Sequence, residues 1–167
     1  SDEVRSAARN QALDDAWVYG LMRQESRFVT DARSSAGASG LMQLMPATAR
    51  WVAKKIGLQD YRPGQVNDTE TNLLLGTSYM RMVMESLDNH PVLASAAYNA
   101  GPNRIAQYRK EAARRGLNGN IWFDNVERVA AAKVGAETVQ YVKSVSSRYV
   151  AYRRSYELKI GRASCRE

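Results

Sequence analysis

The spacing of apolar residues constrains the fold of this chain more than any other feature. Apolar residues recur at every third or fourth position in one segment after another, and strict apolar–polar alternation, which is typical of β-strands, is almost absent. Proline and glycine mark the breaks: Pro46 and Pro91 are placed to open helices, and Gly57 is placed to end one. The sequence therefore predicts a mainly α-helical fold with little or no β-sheet.

The helices expected from this pattern follow one another with short connections. One ends near Arg27, one runs from Pro46 to about Ile56, others begin after Asp68, at Pro91 and at Pro102, and the last runs from Ala136 to about Leu158. Ser34–Gly40 and Gly116–Asn120 are rich in small residues and are expected to be loops. With 167 residues, the chain fits one domain that can bury a sizeable core.

Composition narrows the classes of partner and of chemistry. Lysine and arginine number 24 against 17 aspartates and glutamates, so the net charge of +7 favours nucleic acid, anionic membranes or carboxylate-bearing glycans as partners. Cys165 and His90 are the single cysteine and the single histidine. They allow no internal disulfide and no Cys/His cluster for zinc, and they argue against Cys–His or Ser–His nucleophilic chemistry. No apolar run of about 18 residues occurs, so we expect no transmembrane segment.

A glutamate continues one of the apolar stripes. The stripe consists of Leu13, Trp17, Leu21, Glu25 and Phe28. Burial disfavours a carboxylate, so we expect a raised pKa that keeps Glu25 protonated near neutral pH, as a general acid requires. The stripe alone fits a structural glutamate equally well, with its carboxylate hydrogen-bonded by the backbone or paired with Arg23 or Arg27.

Four short segments contain polar residues or glycine that a plain helical domain would not need. They are Gln24–Ser26 (Gln-Glu-Ser), Gly40–Gln43 (Gly-Leu-Met-Gln), Ala97–Gly101 (Ala-Tyr-Asn-Ala-Gly) and Glu137–Val142 (Glu-Thr-Val-Gln-Tyr-Val). In this order and at these separations they resemble the catalytic domain of the soluble lytic transglycosylases, which are relatives of goose-type lysozyme. The resemblance extends from about Asp14 to Tyr156.

The resemblance implies a lysozyme-like helical domain with a deep groove for a peptidoglycan strand. It implies cleavage between N-acetylmuramic acid and N-acetylglucosamine without a metal or an organic cofactor. Glu25 would protonate the leaving oxygen and then take a proton from the C6 hydroxyl of the muramic acid, which closes a 1,6-anhydro ring. An intramolecular nucleophile would explain why one carboxylate suffices where most glycosidases need two.

Position in the motifs also implies a set of substrate contacts. They are Ser34, Met42, Gln43, Tyr98, Asn99, Glu137 and Tyr141. Two of them have a simpler alternative, since Tyr98 could be a core tyrosine and Asn99 a helix-stop residue. Outside the motifs, we expect Trp51 in the core. Trp122, beside the Gly116–Asn120 loop, is a candidate for stacking on a sugar ring.

The resemblance places the protein in the periplasm or cell envelope, in peripheral contact with the cell wall. Its implied partners are peptidoglycan glycan strands, with cell-wall synthesis or turnover proteins as further candidates and no nucleic acid. We expect the catalytic domain over residues 1–159 and a tail, native or added, over residues 160–167. A large upstream domain is usual in these enzymes and is expected to be absent from this chain.

Three alternatives to a transglycosylase stay open. A goose-type hydrolase would use Glu25 with a water held by another carboxylate. A non-catalytic module would bind peptidoglycan without cleaving it. A basic helical nucleic-acid binder ranks last, because the sequence contains no recognisable module for reading a groove or bases.

Overall fold

The computed structural model describes residues 1–164, and within this range the chain is mainly helical. The helices are α1 (Asp2–Asn10), α2 (Asp15–Ser26), α3 (Pro46–Lys55), α4 (Thr69–Ser86), α5 (Pro91–Ala100), α6 (Pro102–Arg114), α7 (Glu127–Lys133) and α8 (Ala136–Ser164), with a 3₁₀ helix at Pro63–Asn67 and a π-type turn at Trp122–Val126. Within the described range, β-structure consists of two isolated bridges, which pair Ser39 with Arg33 and with Leu44. The predicted mainly α-helical fold is confirmed.

The helix boundaries follow the proline and glycine signals closely. Pro46 occupies the first turn of α3, and Gly57, just past its end, has a φ of +73°. Helix α8 differs from the expectation because it continues through Ser164 instead of ending near Leu158. The predicted tail therefore begins inside a helix, and its last residues, 165–167 with Cys165, lie outside the described residues.

The chain divides into two compact units. The first comprises Ser1–Tyr79 and the chain from Ser146 onward, and the second comprises Met80–Val145. The core of the first unit includes the fully buried side chains of Trp17, Leu21, Met22, Met42, Leu44 and Leu75. The core of the second unit includes Leu93, Ile105, Trp122, Val129 and Val142.

In the first unit, Asp14 joins the start of α2 to helix α8. One of its carboxylate oxygens accepts a hydrogen bond from the backbone N–H of Ala16 (2.9 Å) and thereby caps α2. The other oxygen accepts from the Tyr149 hydroxyl and from the Arg153 guanidinium, both at 2.6 Å. Burial, reinforced by the hydrogen bond to the Asp14 carboxylate, raises the pKa of Tyr149.

In the second unit, Arg109 holds the loop that follows α6. Its guanidinium donates to the carbonyl of Gly119 (2.9 Å), to Asn120 Oδ1 (2.7 Å) and to Asp88 Oδ2 (2.9 Å). A Cβ atom at Gly119 would lie 2.8 Å from the backbone oxygen of Arg109, so the loop approaches α6 more closely than a larger residue would allow. The predicted Gly116–Asn120 loop is thus an ordered turn.

Three predictions about aromatic residues are wrong. Phe28 is not part of the buried stripe, because α2 ends at Ser26 and Phe28 follows it with 37% of its surface exposed. Trp51 is on the outer face of α3 and is 48% exposed, so it does not belong to the core. Trp122 is 2% exposed and packs in the core of the second unit, which removes it as a candidate for sugar stacking.

Candidate active site

Glu25 is the penultimate residue of α2 and is half-buried. Trp17 and Leu21, two turns and one turn before it on the same helix, are fully buried and fix the orientation of this face. The helix stops because Arg27 adopts a left-handed conformation (φ +53°) and its N–H donates to the carbonyl of Arg23 (3.0 Å). Glu25 therefore lies in the last turn of α2, at the negative end of the helix dipole.

Partial burial suits a proton donor better than either extreme. A completely buried carboxyl would be out of reach of a polymer, and a completely exposed one would be fully hydrated and ionised at neutral pH. The structure differs in part from the expectation of a buried glutamate. Glu25 continues the stripe of Trp17 and Leu21, but part of its surface is exposed. The exposed part of Glu25 leaves the residue within reach of a ligand.

The Gly-Leu-Met-Gln motif forms a tight loop, called here the Gly40–Gln43 loop. Ser39 and Leu44 close it through two backbone hydrogen bonds of 3.0 and 3.1 Å. Inside it, Gly40 and Gln43 both have positive φ values, +78° and +48°. The N–H of Gly40 donates to the carbonyl of Ala32 (2.9 Å), which ties the loop to the segment that follows α2.

Gln43 is half-buried, and its side chain supports the loop from within. Its Nε2 atom donates to the carbonyls of Ala32 (2.9 Å) and Gly40 (2.8 Å). Both amide hydrogens can therefore be used inside the protein. The side-chain oxygen Oε1 is the atom suited to meet a ligand, as an acceptor for a hydroxyl or an N–H group.

Two other predicted contacts in the first unit have different environments. Ser34 is exposed, and its Oγ accepts a hydrogen bond from the N–H of Ala38 (3.0 Å), so its hydroxyl retains a proton to donate. Met42 is 0% exposed, and a Cβ atom added at Gly76 would lie 2.4 Å from its Cγ. The prediction of Met42 as a substrate contact is therefore corrected: its side chain is core packing under the loop.

In the second unit, two of the motifs lie next to each other. Asn99 is half-buried near the end of α5, and its Oδ1 accepts a hydrogen bond from the Thr138 hydroxyl (2.8 Å) in the first turn of α8. Tyr98 and Tyr141 are 8% and 6% exposed, so most of each ring belongs to the core, whereas Glu137 is exposed. The bond between Asn99 and Thr138 is one contact that joins the Ala97–Gly101 and Glu137–Val142 motifs.

Two residues that support these motifs escaped the sequence analysis. Thr138 lies within the last motif but was not singled out, because a threonine has no distinctive spacing. Asn72 lies in α4, is 1% exposed and hydrogen-bonds the Gly40–Gln43 loop. Nothing in the sequence signalled it, because a single polar residue within an apolar helix makes no pattern of its own.

Other classes of site were searched for in the described residues. Between residues 1 and 164, His, Cys, Asp and Glu form no group of three or more that could hold a metal ion. None of the helices in that range has both the length and the apolar character needed to cross a bilayer.

Comparison with known proteins identifies the family. Residues 2–120 match the family model described as the transglycosylase SLT domain, and the chain belongs to this family. It is 39% identical over 149 residues to the soluble lytic murein transglycosylase of Salmonella typhimurium, covering 89% of this chain and 22% of that protein.

Solved structures show the same relationship. The lytic transglycosylase Slt of Pseudomonas aeruginosa, solved as an inactive mutant, matches with 36% identity and a TM-score of 0.74, covering 93% of this chain and 24% of that one. The 70 kDa soluble lytic transglycosylase of Escherichia coli matches with 35% identity and a TM-score of 0.75, with the same coverage of 93% and 24%. The resemblance stated from the motifs is confirmed, and the chain spans less than a quarter of the length of these relatives.

Proposed function

We propose that this chain is the catalytic domain of a peptidoglycan lytic transglycosylase, with Glu25 as its acid and base. The observation that carries the proposal is the position of Glu25, half-buried in the last turn of α2 and inside the region that matches the transglycosylase family. The relatives named above are transglycosylases of murein, which is peptidoglycan. The protein would act at the cell wall, in the periplasm or cell envelope, and would need neither a metal nor an organic cofactor.

The reaction proceeds in two proton transfers at one carboxyl. Glu25 donates its proton to the glycosidic oxygen as the bond from C1 of N-acetylmuramic acid breaks, and N-acetylglucosamine leaves with a new hydroxyl. The carboxylate then accepts the proton of the C6 hydroxyl of the same muramic acid while that oxygen bonds to C1. The acid form of Glu25 is regenerated and no water is consumed. Because the nucleophile belongs to the substrate, its effective concentration replaces a second protein carboxylate.

The substrate contacts proposed in the first unit follow from the atoms that remain available. Gln43 would accept a hydrogen bond at Oε1, since its Nε2 already donates to two backbone carbonyls. Ser34 would donate its hydroxyl proton, because its Oγ accepts from Ala38. In the second unit we propose contacts from Tyr98, Asn99, Glu137 and Tyr141, supported by their positions in the two adjacent motifs. Partners among cell-wall synthesis or turnover proteins stay a prediction.

The test is the digestion of purified sacculi, with mass spectrometry of the released muropeptides. Wild-type protein is expected to release 1,6-anhydro products, and Glu25→Gln, which cannot donate and reclaim the proton, is expected to lose at least about 100-fold in rate. Glu85→Gln is the matched control, because Glu85 is an exposed glutamate on α4, where it pairs with Arg81 of the same helix. It is expected to retain full activity.

Each other result points to a different conclusion. Products heavier by one water would identify a goose-type hydrolase. Binding to sacculi without any released product would indicate a non-catalytic module. A folded Glu25→Gln variant with wild-type activity would contradict the role of Glu25.

A further inference from the structure

We infer that Asn72 is a positioning residue that fixes the Gly40–Gln43 loop, and with it the Gln43 side-chain oxygen, in the place where the glycan binds. The inference rests on the proposed function, because it is the glycan that gives this loop its role. Asn72 touches no proposed reacting group, so it would act through the loop.

The side chain of Asn72 hydrogen-bonds three backbone groups, two in the loop closed by Ser39 and Leu44 and one in the 3₁₀ helix. Its Oδ1 accepts a hydrogen bond from the N–H of Met42 (2.9 Å). Its Nδ2 donates to the carbonyl of Ser39 (2.8 Å) and to the carbonyl of Val66 in the 3₁₀ helix (2.9 Å). Asn72 is 1% exposed, so all three hydrogen bonds are buried. Only an amide of this size offers one acceptor and two donors from a single short side chain.

The Gly40–Gln43 loop packs closely against Asn72 and α4. A Cβ atom at Gly40 would lie 2.3 Å from Asn72 Nδ2, and a Cβ atom at Gly76 would lie 2.4 Å from Met42 Cγ. Two glycines, one in the loop and one a turn after Asn72 on α4, therefore allow the loop to lie directly on the helix. The hydrogen bonds of Asn72 fix the position of the loop along α4, and the close contacts at the two glycines fix the distance between the loop and the helix.

The hydrogen bond from Met42 to Asn72 also affects Gln43, the next residue in the chain. The N–H that Asn72 holds belongs to Met42, and the next residue is Gln43, whose backbone is left-handed (φ +48°). Without the Asn72 amide, the Met42 N–H would lose this buried partner and the Ser39 carbonyl would keep only the N–H of Leu44, so the loop is expected to shift. A shift of about 1 Å in a substrate-positioning group can reduce turnover by about 100-fold.

The experiment uses two measurements on the folded protein. Hydrogen exchange of the Met42 amide reports the loop without any ligand, and binding of glycan oligomers from peptidoglycan in the Glu25→Gln background reports the site. Asn72→Ala is expected to speed Met42 exchange and to weaken glycan binding at least tenfold. Thr77→Val is the matched control, since its buried hydroxyl on the same helix donates only to carbonyls of that helix (2.7 Å to Leu73). It is expected to change neither measurement.

A double-mutant cycle separates positioning from general destabilisation. If Asn72 acts through Gln43, Asn72→Ala adds little loss of binding when Gln43→Ala is already present, whereas independent effects would multiply. Should Asn72→Ala fail to fold, Asn72→Asp replaces it, because aspartate has the same shape and can keep the acceptor for Met42 but loses both donors.

The outcomes are distinct. Wild-type exchange at Met42 in a folded Asn72 variant would overturn the inference, and so would losses of binding that multiply in the cycle. If exchange rises as expected but the wild-type protein neither binds nor cleaves peptidoglycan, the proposed function is wrong. The inferred role of Asn72 toward the glycan then falls with it.

Discussion

Gly40 is the residue at which the candidate site tolerates least change. Its φ of +78° lies in the left-handed region, and a side chain there would collide with the Asn72 amide. Gly37, three residues earlier, has a similar φ of +97°, but an added Cβ atom would meet nothing within 4 Å. Substitutions at these two glycines can therefore distinguish the cost of backbone strain from the cost of a steric collision.

Gly40→Ala is expected to destabilise the protein by about 2–5 kcal/mol. Backbone strain contributes about 1–2 kcal/mol, and overpacking against Asn72 contributes a further 1–3 kcal/mol, approximately. Gly37→Ala, the control, should cost only the backbone strain, about 1–2 kcal/mol. Thermal or urea unfolding of both variants measures the difference. Equal losses of stability would show that the Gly40–Gln43 loop has room to move away from Asn72.

At this scale the sequence singled out some residues and missed others. Glu25 was singled out because it combines helical spacing with a motif, and Gln43 by its motif alone; the roles of both stay predictions. Met42 was misassigned because a motif shows neighbours in sequence, whereas burial depends on α4, which lies 30 residues away at Asn72. Asn72 was missed because one buried amide produces no periodic pattern.

Among the elements, α2 and α8 show how a long helix is held by a few polar contacts. Tyr149 and Arg153 of α8 both donate to the Asp14 carboxylate at the start of α2. The raised pKa of Tyr149 means that the folded protein holds this phenol proton more tightly than the unfolded chain does. The stabilisation is fully present below the unfolded pKa of about 10, and it is lost as the pH rises through the folded value.

Tyr149→Phe is expected to lower stability by about 1 kcal/mol at pH 8, because it removes the hydrogen bond to Asp14. It should also reduce the loss of stability that the wild-type protein shows above about pH 10. Thermal unfolding between pH 8 and 11 measures both effects. Tyr156→Phe, at a half-exposed tyrosine on the same helix, is the control and should follow the wild-type profile. A Tyr149→Phe profile parallel to wild type would show that this phenol does not contribute to alkaline unfolding.

The elements themselves were predicted best where proline and glycine mark their ends. Helix α3 is the clearest case, with Pro46 at its start and Gly57 past its end. Helix α1 was not predicted, because it buries only Val4 and Ala8 and is otherwise polar, so its apolar stripe is too thin to stand out. Helix α8 was predicted too short because the sequence after Lys159, Ile-Gly-Arg-Ala-Ser, shows no apolar periodicity.

For the whole molecule, the excess of basic residues is the property that governs encounters with a polymer. The net charge is +7, and the glycan proposed as substrate carries carboxylates on its lactyl groups and stem peptides. Charges exposed on both partners attract over roughly 10 Å at 0.1 M salt and over less at higher salt. Binding should therefore depend on ionic strength, whereas the proposed proton transfers at Glu25 are not part of this attraction.

Binding of the Glu25→Gln variant to intact sacculi is expected to weaken at least several-fold between low and high salt, at approximately 0.05 and 0.5 M, because salt screens these charges. Co-sedimentation measures the bound fraction, and the inactive variant prevents digestion of the sample. Sacculi whose carboxyl groups have been amidated are the control and should bind with a weaker dependence on salt. Identical salt dependence for both kinds of sacculi would assign the basic surface to another partner.

The abrupt end of α2 has a practical consequence for anyone who redesigns this protein. Arg27 and Phe28 are both left-handed, so the helix cannot absorb an extra residue by growing past Ser26. One residue inserted upstream would swing Glu25 by about 100° around the helix axis. Substitutions on the outer side of α2 are therefore open to an engineer, but insertions and deletions are not.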